Sequence, residues 1–294
     1  MPENLLQNRE PLADAPDRPL IIAHRGASGL APENTLAAFR MAIELGADGV
    51  EMDVQLSSDG KPYVIHDLRV NRTTDGAGRV AALTSRQLGG LDAGGWFDRR
   101  LAARPGVRAK VARAALAKGS GPGFAGEPVP TLESALALLS GAGLSRVYIE
   151  LKGSRGEGKA ALLDQVIGLI SDFGMERSAT LLSFDHQIVK RARELAPELR
   201  TAATFPVARR ALASTKAIIS SVESVAASEA ALHFGLVTRR VVKTLHERGF
   251  AVSAWTANNR IIMRRLISCG VDSIMTNFPH RLASVLGSSR GDGL

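Results

Sequence analysis

Cysteine occurs once in the 294 residues, aromatic side chains make up only 4% of them, and no uninterrupted apolar run approaches the roughly 20 residues of a membrane span. Each shortage excludes something. The single thiol, Cys269, cannot form an internal disulfide, and beside Ile267 late in an expected helix it reads as a small buried side chain rather than a reactive one. Lacking a membrane span, the chain is expected to be soluble. Its first eighteen residues, MPENLLQNREPLADAPDR, mix acids, arginines and prolines without an apolar h-region, so no secretory signal is expected and the cytoplasm is the expected compartment. Scarce aromatics also weigh against nucleic acid, which a net charge of +8 and a pI near 10.1 would otherwise suggest, and no recognition motif accompanies the charge. Most of the excess is local: Arg99 to Lys118 holds seven basic and no acidic residues, the composition of an exposed basic helix or lid.

What is present is globular in composition, with 45% apolar and 22% charged residues, and of a length typical of one β/α barrel of about 250 residues. The stretch from Ile21 to Asp67 organises the rest. Ile21, Ile22 and Ala23 form a short apolar run ending at His24-Arg25-Gly26, Pro32 to Leu45 has helical period, and Asp48 to Leu56 carries Glu51 and Asp53. This is a β-α-β unit. Glu51 and Asp53, two apart on one strand, point to the same side, opposite Val50, Met52 and Val54. Two carboxylates inside a barrel repel, and a cation between them removes that cost, so metal ligation is the economical explanation. Ser57-Ser58-Asp59-Gly60 signals a hairpin, after which Pro62 to His66 returns antiparallel over the barrel mouth and brings His66 back above the two acids.

From Leu68 to Pro130 periodicity is lost and glycine is frequent, which reads as an inserted subdomain capping the mouth. The expected organisation is therefore a disordered segment 1–18, a single barrel 19–286 with an insertion over 57–130, and a disordered tail 287–294. Within the barrel, Pro130 to Leu139 opens a helix and Arg146 to Leu151 a strand that delivers Glu150 and Lys152 near its carboxyl end. Helices over 159–173, 186–196, 207–214, 238–248, 259–269 and from His280 then alternate with strands over 179–183, 200–204, 224–227, 251–255 and 272–276. With the antiparallel arm excluded, that alternation gives eight parallel strands: an α/β fold, a (β/α)8 TIM-type barrel with an inserted subdomain after strand two. Catalytic groups of such barrels gather at the carboxyl ends of the strands.

The motifs HRG, PENT, GADGVEMDV, HD, NRTTDG, LDAGGWF, FAGEPVPTLESAL, IELK, WTANN and GVDSIMTNFP occur in this order from Ile21 to Pro279. Together they resemble the glycerophosphodiester phosphodiesterase family. The resemblance implies His24 and His66 as catalytic histidines, Glu51, Asp53 and Glu150 as metal-binding acids, and Arg25 and Lys152 as phosphate contacts. It also places Trp255 at the mouth, where an aromatic wall could hold substrate carbons; core packing is the plainer reading of that residue. The implied reaction is metal-dependent hydrolysis of glycerophosphodiesters to glycerol 3-phosphate and an alcohol. One histidine takes a proton from the attacking oxygen and the other gives one to the departing alkoxide. The implied cofactor is one divalent cation, Mg2+ or Ca2+, in an oxygen cage. Arg25 would clamp two phosphate oxygens, and Lys152 would add a second positive charge.

Taken singly, each of these residues has a structural reading: a buried histidine, acids paired to basic neighbours, a strand-end lysine. Their combination favours chemistry. Two departures stand out. Asn277 follows Thr276 where the family usually has Asp, which alters the expected local hydrogen bonding, and the stretch between Phe97 and Phe124 is longer than is usual. That stretch, with Leu101, Val107, Val111 and Leu116 among its cations, suggests a short helix able to recruit an anionic phosphodiester or to rest against an anionic membrane, or else a solvated helix without a role. Gly153 to Lys159 mimics a phosphate-binding loop, but Ala160 replaces the hydroxyl that would touch magnesium. A lysophospholipase D-like activity and a catalytically silent binding barrel are the alternatives.

Overall fold

The alternation closes into a barrel in the computed structural model, which describes residues 18–103, 123–152, 157–207 and 214–288. Its strands are β1 (Leu20–His24), β2 (Gly49–Leu56), β3 (Pro62–Val64), β4 (Arg146–Leu151), β5 (Ala179–Ser183), β6 (Arg200–Phe205), β7 (Glu229–His233), β8 (Ala251–Trp255) and β9 (Ser273–Thr276). All but β3 run parallel, in the order β1-β2-β4-β5-β6-β7-β8-β9, and β9 pairs back to β1 to close the ring. The described helices are α1 (Leu36–Glu44), α2 (Ser85–Gly89), α3 (Gly95–Ala102), α4 (Leu132–Ser140), α5 (Glu157–Asp172), α6 (His186–Leu195), α7 (Thr215–Ser224), α8 (Arg239–His246), α9 (Arg260–Cys269) and α10 (Pro279–Ser288).

Strand alternation separates two cores. Val50, Met52, Val54, Val147 and Ile149 face outward into the main cluster shared with the helices, whereas Ile22, Tyr148, Leu182, Ala202, Ala231 and Met275 fill the barrel interior. Below them the buried Tyr148 hydroxyl donates to Glu229 at 3.0 Å and lies 3.2 Å from the Ser273 hydroxyl, so the floor is polar but satisfied there. At the amino-terminal edge Arg18 is anchored to Asp48 at 2.6 Å, and Asp48 also accepts from the Ile21 amide. Residues 1–17 and 289–294, where disordered segments are expected, lie outside the described residues. No helix among the described residues is long and apolar enough to cross a membrane.

Two sequence expectations are corrected. The first helix begins at Leu36 rather than Pro32, because the Thr35 hydroxyl caps it by accepting from the Ala38 amide and Asn34 sits at φ 59°, outside helical space. Strand seven is Glu229–His233, not 224–227, and the helix Thr215–Ser224 precedes it, while most of the helix expected over 207–214 falls outside the described residues. Ser214 caps that helix, Ile218, Ile219 and Val222 bury its inner stripe, and Ala226 at φ 49° ends it. Residues 208–213 lie outside the described set. His233 ends β7.

The arm is as expected: β3 pairs antiparallel with β2, Val64 opposite Val54. Beyond it, Tyr63, Ile65, Val70, Val80, Leu88, Ala93 and Val129 form a small core separate from that of the barrel. Asp98 of α3 accepts from the Phe124 and Ala125 amides at 2.7 and 2.9 Å, fixing where the longer stretch rejoins the fold. Of the basic stretch, Arg99 and Arg100 close α3; residues 104–118 lie outside the described residues, as do 153–156 of the loop before α5.

Candidate active site

Strand register brings the expected residues together. His24 pairs with Glu51 across β1 and β2, and Asp53 with Glu150 across β2 and β4; His24 and Glu150 lie at the carboxyl ends of their strands, and Glu51 and Asp53 stand level with them on the longer β2. Glu51, Asp53 and Glu150 each offer a carboxylate oxygen, these atoms lie within 4.8 Å of one another, and all three residues are buried. An all-oxygen, closely spaced donor set fits a hard divalent cation.

Around this cluster the barrel supplies cations. Arg25 Nε lies 3.1 Å from Asp53, its Nη1 donates to Glu33 at 2.8 Å, and its main-chain amide donates to Glu51 at 3.0 Å. Arg25 takes φ 56° to do so, and the following Gly26, at φ 74°, leaves no room for a side chain: a Cβ there would meet the Ala38 backbone at 2.6 Å. Lys152 Nζ lies 2.5 Å from Glu150 and 3.3 Å from Asp53. His24 places Nε2 3.8 Å from Glu51 and Nδ1 2.8 Å from the Asn277 side-chain oxygen. With that oxygen accepting, Nδ1 carries the proton and Nε2 presents its lone pair to the acids.

His66 arrives from the insertion. Gln55, two residues beyond Asp53 on the same face of β2, donates its amide to the carbonyls of Ile65, His66 and Asp67 at 2.8–3.0 Å. Asp67 bonds His66 Nδ1 at 2.6 Å and receives Arg72 Nε at 2.6 Å; Arg72 in turn donates twice to Glu33 at 2.8 Å. Since Glu33 also holds Arg25, one chain of charges runs from His66 through Asp67, Arg72 and Glu33 to Arg25 and Asp53.

These surroundings set the charge states. Burial, with Asp53 and Glu150 close by, raises the Glu51 carboxyl well above the usual range, and burial beside Asp53 pushes Glu150 up to about 7. Burial acts on Asp53 in the same sense, but Arg25 and Lys152 outweigh it and hold Asp53 down at about 2. His24 is lowered to about 4 by burial and by Arg25, and His66 is lowered by burial. Three acids this close therefore do not all ionise without added positive charge.

Trp255 is half-buried at the end of β8. Its indole donates to the Ala231 carbonyl at 3.0 Å, and its ring meets Phe184 and His233 edge-on at 5.5 and 5.4 Å, an aromatic shelf across the ends of β5, β7 and β8. Between the shelf and the insertion runs a groove of about 580 Å³ lined by His66, Leu68, Glu150, Lys152, Lys159 and Phe184.

Sequence reading did not find Asn34, Gln55, Arg72 or Glu33, nor the use of Asn277. Asn34 grips Asp53, donating to its carboxylate at 2.9 Å and accepting from its amide at 3.3 Å. Gln55 had a signal, since a polar residue continuing the inward face beyond Glu51 and Asp53 must find a partner inside. Cys269 is half-buried in α9, packed against the main core.

Comparison with known proteins fits this geometry. The model of the glycerophosphoryl diester phosphodiesterase family matches residues 24–281, from the first histidine to beyond Asn277. The chain belongs to this family. YhdW of Bacillus subtilis is 36% identical over 265 residues, covering 88% of this chain and 94% of that protein. The glycerophosphodiester phosphodiesterase of Caldanaerobacter subterraneus subsp. tengcongensis is 32% identical, covering 91% and 97%. Among solved structures, an Oleispira antarctica phosphodiesterase in complex with the product sn-glycerol-3-phosphate superposes with a TM-score of 0.71 at 26% identity, covering 92% and 97%. The chain is thus a phosphoric diester hydrolase with glycerophosphodiester phosphodiesterase activity, in a family that depends on metal.

Proposed function

We propose that the chain hydrolyses glycerophosphodiesters to glycerol 3-phosphate and an alcohol by histidine acid-base chemistry beside one divalent cation, Mg2+ or Ca2+. The observation that carries this is the convergence of two histidines on three buried carboxylates and two cationic side chains at the mouth of one barrel. Glu51, Asp53 and Glu150 would hold the cation, whose charge offsets their repulsion and supplies polarisation of a phosphoryl oxygen. Arg25 and Lys152 would hold the phosphate and stabilise the charge that builds on it. His24, neutral with Nε2 free, suits the base that takes the proton from the attacking oxygen. His66, backed by the Asp67 carboxylate, suits the acid that protonates the departing alkoxide. Trp255, with Phe184, offers an aromatic wall for substrate carbons. The relative captured with sn-glycerol-3-phosphate supports the product assignment.

The test is turnover of glycerophosphocholine and lysophosphatidylcholine side by side, each with Mg2+ and with Ca2+. Glycerol 3-phosphate released from glycerophosphocholine supports the proposal. Turnover of the lysolipid alone shifts it to a lysophospholipase D, and no turnover of either with any cation leaves a silent binding barrel.

A further inference from the structure

The groove beside the acid cluster contains a cation that the reaction above does not use. Lys159, in the first turn of α5, is only 8% exposed and lines the groove beyond Lys152. The two lysines differ in how firmly they are held. Lys152 is engaged by Glu150 and Asp53 at 2.5 and 3.3 Å, whereas Lys159 Nζ stands 3.6 Å from Asp185 Oδ2, beyond the distance of a good hydrogen bond. Asp185 is itself shared, because its other oxygen caps α6 through the Gln187 amide. Leu68 and Phe184, both more than 40% exposed, give this groove apolar wall beside Lys159, and Asp67 and Arg69 complete its charged lining. A nearly buried ammonium with a slack partner in such walls gains most from a ligand anion that completes its hydrogen bonds.

From this arrangement we infer that Lys159 and Asp185 form a subsite that selects substrates whose variable alcohol carries a carboxylate, with a seryl head group as the simplest case. This rests on the phosphodiesterase reading. In a glycerophosphodiester the glycerol is neutral and the phosphate is assigned to Arg25 and Lys152, so an anion meeting Lys159 belongs to the other alcohol. A seryl group brings both charges: its carboxylate takes Lys159 Nζ, and its ammonium takes the Asp185 oxygen that Lys159 now holds loosely. A choline or ethanolamine head group brings a cation alone and leaves Lys159 as it is. Recognition by a polar group in a groove discriminates far more sharply than apolar fit does.

The experiment measures kcat/KM of the wild type and of Lys159→Met on glycerophosphoserine, glycerophosphoethanolamine and glycerophosphoglycerol, with Mg2+ or Ca2+ as the wild type requires. The ratio of the serine to the glycerol substrate is expected to fall about tenfold or more in the variant, the size of one lost charge-assisted hydrogen bond. Lys159→Arg should keep most of the ratio. A ratio unchanged in Lys159→Met, or a fall shared by all three substrates, overturns the inference and returns Lys159 to an ion pair or to the scissile phosphate. Wild-type inactivity on all three would instead strike the hydrolase reading itself.

Discussion

The two histidines reach the site by different means. His24 is the last residue of a barrel strand, fixed by main-chain hydrogen bonds to β2 and β9 on either side. His66 stands on the insertion, where the antiparallel pairing of β3 has ended, and side chains hold it: Gln55 on three carbonyls and the Asp67–Arg72–Glu33 chain. The barrel half is set by backbone register, which single substitutions barely disturb; the insertion half depends on a few charged groups that single substitutions can remove. Substitutions distant from the phosphate should therefore be silent when they fall on the barrel and costly when they fall on the contacts of the insertion.

The largest effects should come from the groups proposed to react. His24→Ala and His66→Ala should each lower kcat by about 10²- to 10⁴-fold and leave cation affinity in place, as steady-state kinetics and calorimetry would check. Glu51→Gln, Asp53→Asn and Glu150→Gln should instead weaken cation binding while circular dichroism reports an intact fold. Equal cation affinity in all three would contradict the cage.

Next comes the comparison itself. Arg72→Gln removes four hydrogen bonds between the insertion, Glu33 and Asp67 without touching a proposed metal ligand, and should lower kcat by roughly 10- to 100-fold with KM little changed, because it misplaces His66, the proposed proton donor, rather than a binding contact. Arg18→Gln cuts an equally short ion pair on the barrel, Arg18–Asp48, and should cost at most about 1 kcal/mol of stability with kcat unchanged. Comparable kcat losses in the two variants would erase the distinction between the halves.

The smallest effect is on the cation-free protein. Glu150 is raised to about 7 in the fold, so its neutral form is favoured there, and the cost of ionising it appears as pH rises through that value. Stability from this group is full below about 4.3, the unfolded carboxyl value, and is lost toward pH 8. Glu150→Gln, neutral at every pH, should therefore raise the apo Tm at pH 8 by roughly 2–4 °C, the shift about 1 kcal/mol produces in a protein of this size, and leave it little changed at pH 4. Thermal melts in chelator decide it.

What the sequence made legible follows the same division. The strands bearing His24, Glu51, Asp53 and Glu150 have local signatures, namely alternation, turn residues and family motifs, and register carries such residues to one layer. Strand seven escaped because Val225, Ala226 and Ala227 look as strand-like as the true Glu229–His233, and only the burial of Ile218 and Val222 reveals the helix before it. Arg72, Glu33 and Gln55 escaped for another reason: their partners are distant in the chain, Arg72 from Glu33 by 39 residues, and charge alone does not reveal pairing across an insertion. Asn277 was visible as a departure, but its contact with His24 spans 253 residues and needed the closed barrel.

The measurement that bears most directly on the central claim is anomalous diffraction from crystals soaked in Mn2+, a scattering substitute for Mg2+ or Ca2+. One strong peak among the carboxylates of Glu51, Asp53 and Glu150, with His24 and His66 on either side of the groove that opens from it, is the result expected here. A peak elsewhere, or none at concentrations that support turnover, would contradict it.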